Sequence, residues 1–411
     1  MDNSDLNLAS LKLIDGILIS AIYSGIRKSK KKDLVLIFFD HPTTLVGCFT
    51  KNGFAAAPVN ISKERIKNFF TPTTAALLIN SGCANAGTGT QGYKDCEQVI
   101  LHVGRDLNMP VENILPFSTG PIMERLPVKK IKSITKPLIA NLGKSDWLDA
   151  ASAIMTTDTV PKGCSRELIL QNKKITITGI AKGSGMICPN MATMLAFLFT
   201  DIGISYDDLK MLINQATDSF FNRISVDGDT STNDSFIAAA NGLSGILINS
   251  KDKEFANDWI RFKNAFFEIC EYLAKSIVLD GEGATKFITI ETINANSDEE
   301  TRMVGRAIAN SPLVKTAFFA SDPNLGRILA AIGNAGLKDF KFDELSLKIN
   351  GYSVFEKGEL RVDYNESRAK KELIKKEILI EVFLDRGLVT GRFFTCDLTH
   401  DYISINTDYR T

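Results

Sequence analysis

No stretch of about 20 apolar residues runs through this chain, so the sequence predicts no membrane-spanning helix. Charge of one sign does not accumulate either: 48 lysines and arginines stand against 48 aspartates and glutamates. That balance removes the electrostatic case for a nucleic-acid or anionic-membrane partner. The cluster Arg27, Lys28, Lys30, Lys31 and Lys32 is too short to argue otherwise and reads as a solvated turn before a strand over 34–39. Histidine is scarce, and His41, His102 and His400 share no ligand spacing, which argues against a zinc site or a histidine-based triad. The seven cysteines are widely spaced, odd in number and form no CxxC, so they suggest neither a disulfide framework nor a metal cluster. Asp227-Gly228-Asp229 and Asn233-Asp234 invite a calcium reading, but the glycine and terminal glutamate of an EF-hand loop are missing. No metal and no cofactor are therefore expected.

The apolar stretch 13–26 is a poor signal peptide. Asp15 interrupts it, Asp2 and Asp5 precede it, and its basic cluster follows it. The chain reads as cytosolic. At 411 residues, 44% of them hydrophobic and 23% charged, it has ordinary soluble composition and exceeds what one compact core usually holds. Two subdomains are expected. Helical spacing of Cys96, Val99, Ile100, Val103 and Leu107 predicts a helix over 92–107. Ser205-Tyr206-Asp207-Asp208 resembles a capping box, opening a helix with Leu209, Leu212, Ile213, Ala216 and Phe220 on one face. A third helix over 255–278 carries Trp259, Phe262, Phe266, Ile269, Leu273 and Ile277 on a core-facing stripe. Strands are expected over 34–39, 286–293 and 378–383. This mixed, non-repeating order predicts an α+β (mixed α/β) protein with helices layered on sheets.

The most informative stretch is Lys182-Gly183-Ser184-Gly185-Met186-Ile187-Cys188-Pro189-Asn190-Met191-Ala192-Thr193-Met194-Leu195. The alternation in Ile175-Thr176-Ile177-Thr178 before it marks a half-buried strand. The six apolar residues from Met194 to Phe199 after it predict a strand buried on both faces. A threonine at the mouth of such a strand is held rigidly, while the glycine-rich loop before it can be strained or cut. Cleavage of the Ala192–Thr193 bond would make Thr193 an N-terminal nucleophile whose own α-amine serves as base. An α-amine titrates at about 7.7–8.0 and can accept a proton near neutral pH. An ordinary Gly-x-Gly turn into a strand is the bland alternative. A phosphate-binding loop is disfavoured, because neither a Gly-Lys-Ser/Thr triplet nor a third glycine completes the motif. Cys188 reads as a small buried apolar residue rather than a participant.

The run from Ala181 to Asp201 resembles the cleavage segment of the ornithine acetyltransferase (glutamate N-acetyltransferase) family. Family-like stretches recur in order: Asn80-Ser81-Gly82-Cys83-Ala84-Asn85-Ala86, Ser118-Thr119-Gly120, and Met155-Thr156-Thr157-Asp158-Thr159. They continue with Ser225-Val226-Asp227-Gly228-Asp229-Thr230-Ser231-Thr232-Asn233-Asp234, Asp280-Gly281-Glu282-Gly283-Ala284-Thr285-Lys286 and Asp322-Pro323-Asn324-Leu325-Gly326-Arg327. The last is Ile405-Asn406-Thr407-Asp408-Tyr409-Arg410-Thr411. The resemblance implies self-cleavage before Thr193 into an α chain, 1–192, and a β chain, 193–411, assembled as two α and two β chains. It implies stacked helix and sheet layers, and transfer of acetyl from N-acetylornithine to Thr193 and then to glutamate, in arginine biosynthesis. It leaves open whether acetyl-CoA also donates.

By the same resemblance Thr119 and Gly120 form the oxyanion hole. Thr156, Lys182, Thr193, Glu282, Asn406 and Thr411 contact substrate, with Thr157 an adjacent alternative to Thr156. Lys182 suits the substrate α-carboxylate and Glu282 the cationic ornithine side chain. One departure stands out: the family usually continues Gly-Val-Ile-Gly-Glu, whereas Gly120 is followed here by Pro121-Ile122-Met123-Glu124. Proline lacks an N–H and Met123 replaces a glycine, so a different local geometry is expected. Two other classes share parts of this pattern. An N-terminal-threonine amidase would pass the acyl group to water, and an amino-acid-binding protein would keep one intact chain.

Overall fold

The computed structural model describes residues 11–188 and 194–408. Its centre is a five-stranded sheet in the order Thr44–Phe49, Ser235–Ala240, Leu195–Thr200, Lys173–Lys182, Lys162–Leu170. A four-stranded sheet, Ile17–Ile22, Leu34–Phe39, Ala76–Ser81 and Ile114–Thr119, lies face to face with it. Strand residues alternate between faces, and the cores follow that alternation. Val35, Ile37 and Phe39 join Phe197 and Phe199 between the sheets, while Leu34 and Leu36 face outward. The outer face is covered by the helices Gly89–Leu107 and Val128–Ala140. Aromatic rings lock the inter-sheet layer: Phe117 meets Phe197 edge-on at 5.2 Å and Trp147 stacks on Phe199 at 4.4 Å.

The far face of the five-stranded sheet, with Ala196 and Leu198, packs on the helices Tyr206–Ser219 and Ala256–Leu279. Both match the helices expected from periodicity. Ser205 caps the first by accepting a hydrogen bond from the Asp208 N–H at 3.1 Å. In the second, Phe262, Phe266, Ile269, Leu273 and Ile277 are buried, whereas Trp259 is only partly covered. A seven-stranded mixed sheet, including Phe287–Ala295, Glu377–Phe383 and Val389–Cys396, encloses a separate core with the helices Asp298–Ala309, Pro312–Ala320 and Leu325–Gly333. Phe394 and Cys396 tie it to the helix Ala256–Leu279. The fold is α+β, with helices on mixed sheets. Among the described residues no helix is long and apolar enough to cross a membrane.

The strand Leu195–Thr200 is buried on both faces, as its apolar run predicts. Ile175–Thr178 is not half-buried: Thr176 and Thr178 are as enclosed as the isoleucines. The chain around Lys12 covers Thr178, whose hydroxyl donates to the Lys12 carbonyl at 2.8 Å. Strands from both sides of the 192–193 bond make up the central sheet, the two that follow it lying side by side between those that precede it. Leu195–Thr200 is antiparallel to Lys173–Lys182 and parallel to Ser235–Ala240. The segments 1–192 and 193–411 thus share one sheet and two cores.

Candidate active site

The turn Ser118-Thr119-Gly120 closes the strand Ile114–Thr119, and Gly120 has φ +136°. A Cβ there would lie 2.5 Å from the Cys83 nitrogen, so glycine alone fits. The segment around Cys83 braces the turn. Cys83 N–H donates to the Thr119 carbonyl at 3.1 Å and Ala84 N–H to the Pro121 carbonyl at 3.0 Å. Ser118 donates to Asn80 at 2.6 Å, and Asn233 bridges the Ala84 and Ser118 carbonyls at 2.7 and 2.9 Å. Pro121 is accommodated because its carbonyl, not its missing N–H, carries the contact.

Met123 takes the glycine-type backbone in the replaced position, with φ +68°, while its N–H donates to Ala86. Its side chain is 80% exposed, so truncation forfeits little packing. A left-handed non-glycine residue costs about 1–2 kcal/mol, part of which glycine returns through the entropy of the unfolded chain. Met123→Gly is therefore expected to stabilise the protein by about 0.5–1 kcal/mol, read as a higher denaturation midpoint. An unchanged or lower midpoint would show that no strain resides there.

Lys182 ends the strand Lys173–Lys182, opposite Leu195. Its ammonium is buried and donates to the Thr119 hydroxyl at 3.1 Å. Burial pulls its pKa below the usual lysine range, with Asp158 opposing. It forms no ion pair among the described residues. A hydroxyl that accepts from an ammonium keeps its own hydrogen for another acceptor, so Thr119 retains a donor.

The loop beyond Lys182 is pinned residue by residue. Gly183 N–H donates to Asp158 at 2.6 Å, and the Ser184 and Thr157 hydroxyls share a 2.7 Å hydrogen bond. Gly185 admits the Glu282 carboxyl, which would lie 2.3 Å from a Cβ. Asp227 accepts from the Met186 and Ile187 N–H groups at 2.6 and 2.9 Å. Burial raises the Asp227 pKa, and these N–H donors oppose it. Asp227 therefore clamps the loop. Cys188 is buried, its carbonyl accepting from Thr230 and its sulfur from Asn310. The proposed scissile pair, Ala192 and Thr193, and the C-terminal Thr411 lie outside the described residues. Beyond the loop, the Met194 carbonyl accepts from Ser235 N–H at 3.0 Å.

Glu282 follows the helix Ala256–Leu279, and its neighbour Gly283 has φ +67°. A Cβ at Gly283 would strike the Tyr402 nitrogen at 2.5 Å. That close approach seats the helix His400–Asp408 against the site. Asn406 donates to Glu282 at 2.8 Å and Tyr402 to Asp227 at 3.4 Å. Burial and the adjacent Asp227 raise the Tyr402 pKa.

One cavity is thus lined by Thr119, Gly120, Thr156, Lys182, Glu282 and Asn406, six of the residues singled out from sequence. Thr157 lines it too, so the structure does not choose between Thr156 and Thr157. Asp227, Asn233 and Tyr402 also line it and were not assigned there from sequence. Asp227 and Asn233 lie in the Ser225–Asp234 motif, a usable signal, whereas Tyr402 had none. None of the three histidines lines the cavity.

A profile of the ArgJ family matches residues 18–411. The arginine biosynthesis bifunctional protein ArgJ of Colwellia psychrerythraea is 44% identical, over 98% of each chain. Its counterpart from Neisseria meningitidis is 45% identical, over 97% of this chain and 96% of the relative. Among solved structures, the ArgJ protein of Bacillus halodurans is 38% identical with a TM-score of 0.49, covering 53% of this chain and 100% of that one. Ornithine acetyltransferase from Mycobacterium tuberculosis, complexed with ornithine, is 29% identical with a TM-score of 0.40, covering 45% and 96%.

Proposed function

The chain belongs to the ArgJ family, and on that premise we propose that it is an ornithine acetyltransferase of arginine biosynthesis acting through an acetyl ester on Thr193. The observation that carries this reading is the buried Lys182 ammonium, held on Thr119 without a carboxylate partner among the described residues, in the cavity that Glu282 also lines. A buried cation that no carboxylate touches directly is costly, so the cavity is suited to an incoming anion. An N-acetylated diamino acid supplies a carboxylate for Lys182 and a cationic side chain for Glu282.

Self-cleavage comes first. The Thr193 hydroxyl attacks the Ala192 carbonyl, the C–N bond breaks to free the new α-amine, and water hydrolyses the resulting ester to release the Thr193 hydroxyl and the Ala192 carboxylate. In the first half-reaction that amine takes the Thr193 hydroxyl proton as the oxygen attacks the acetamide carbonyl of N-acetylornithine. Thr119 O–H and Gly120 N–H stabilise the oxyanion. The C–N bond then breaks, the proton passes to the leaving amine, and ornithine departs. Glutamate enters with a neutral amine that attacks the ester carbonyl; the bond to the Thr193 oxygen breaks, the α-amine of Thr193 relays the proton lost by the attacking amine to that oxygen, and N-acetylglutamate leaves. One site serves both amino acids because the donor leaves before the acceptor arrives.

The test is rapid mixing with mass detection of an acetylated 193–411 fragment. Acetylation by N-acetylornithine and its removal by glutamate are expected; loss of the acetyl group in buffer alone would favour an amidase. Glu282→Gln is expected to slow acetylation by N-acetylornithine about ten- to hundredfold, the worth of one charge-assisted hydrogen bond. Deacetylation by glutamate should slow less. Equal slowing of both steps would take donor recognition away from Glu282.

A further inference from the structure

Beside the cavity lies a group of buried charges that the proposed reaction does not use. Lys162 opens the strand Lys162–Leu170 and stands opposite Ala181, which makes it a neighbour of Lys182. Its ammonium contacts Asp158 at 2.7 Å and Asp280 at 2.6 Å, and the side chains of all three are at most 6% exposed. Asp280 also accepts from the N–H and hydroxyl of Thr159. Asp158 is the hinge of the group. Besides Lys162 it accepts from Thr156 N–H at 2.9 Å and from Gly183 N–H at 2.6 Å. Burial alone would raise the Asp158 pKa; Lys162, Lys182 and these donors outweigh it and hold the carboxyl at about 2.

Asp158 thus stands between two buried lysines but is bonded to only one. Its backbone contact with Gly183, the residue after Lys182, puts the second within its field. An anion in a dry interior keeps its charge only with close partners. Deprived of Lys162, Asp158 would draw in the nearest remaining ammonium, that of Lys182, and pull it from Thr119. We infer that Lys162 is a positioning residue for substrate recognition: by binding Asp158 it leaves the Lys182 ammonium free for the α-carboxylate shared by donor and acceptor. Selectivity for an anionic group then depends on a lysine that does not line the cavity. The inference rests on the reading of Lys182 given above.

The test uses the full-length cleaved enzyme, with calorimetric titration of ornithine and glutamate alongside steady-state kinetics. For Lys162→Met, both dissociation constants are expected to rise at least about tenfold, the loss of one charge-assisted contact. The turnover number should stay within about threefold of wild type, because the effect falls on ground-state binding. The double variant Lys162→Met/Asp158→Asn removes the competing anion and is expected to return both constants to within about threefold of wild type. Asp158→Asn alone keeps Lys162 paired to Asp280 and should bind both ligands within the same limit. That variant serves as the test if Lys162→Met does not fold. Unchanged binding by Lys162→Met would overturn the inference. So would a double variant as weak as the single one, which would assign Lys162 a packing role, or a tenfold loss in Asp158→Asn. Wild-type enzyme that binds neither amino acid would overturn the functional reading itself, and the inference with it.

Discussion

Thr193→Ala is expected to leave a single 45.1 kDa chain, whereas the wild-type protein is expected to separate under denaturing conditions into fragments 1–192 and 193–411. The substitution removes the only group that the proposed cleavage uses as nucleophile, and the same group that would later carry the acetyl. Loss of an activated nucleophile costs on the order of 10⁴-fold or more in turnover, so acetyl transfer should fall to background. The intact mass and the N-terminal residue of any smaller fragment are the measurements. A Thr193→Ala protein that still yields a fragment beginning at position 193 would end the intramolecular mechanism. Under native conditions the wild-type fragments should remain together. Leu195–Thr200 from the second is sandwiched between Lys173–Lys182 from the first and Ser235–Ala240, so separation would break a sheet and two cores.

Thr119→Ala should lower turnover about 10²–10³-fold, the usual cost of one oxyanion donor, with a much smaller effect on substrate affinity. The structure supplies the reason for expecting a full effect. Lys182 occupies the Thr119 oxygen as acceptor at 3.1 Å, which leaves the hydroxyl hydrogen to donate elsewhere. Thr119→Ser keeps that hydroxyl and should retain most of the activity. If Thr119→Ala turns over at a near-normal rate, the oxyanion is held by other groups. Gly120 is a less informative target, because a side chain there collides with the backbone at Cys83 and would disturb the whole turn.

Much of the chain was legible without coordinates, for local reasons. The helices Tyr206–Ser219 and Ala256–Leu279 follow from 3.6-residue spacing, and Ser205 caps the first through a contact three residues away. The strand Leu195–Thr200 follows from an unbroken apolar run. The half-buried reading of Ile175–Thr178 failed for a non-local reason. Alternation reports which face is apolar, and it cannot foresee that a segment more than 150 residues away in sequence will cover Thr178.

The site divides in the same way. The sequence by itself determined the residue types at the cavity: a glycine-rich loop, a threonine-glycine turn, a lysine and a glutamate flanked by glycines. Family resemblance assigned roles to them. Only the tertiary structure decided that Asn233 braces the Ser118-Thr119-Gly120 turn from 115 positions away. It also decided that Asp280 shares Lys162 with Asp158 across 118 positions and that Tyr402 reaches Asp227 across 175. Such partners are chosen by sheet register and helix docking, which bring together side chains with no periodic relation in the chain. The groups proposed to touch substrate sit in recognisable local motifs, whereas the groups that brace them are fixed by long-range packing.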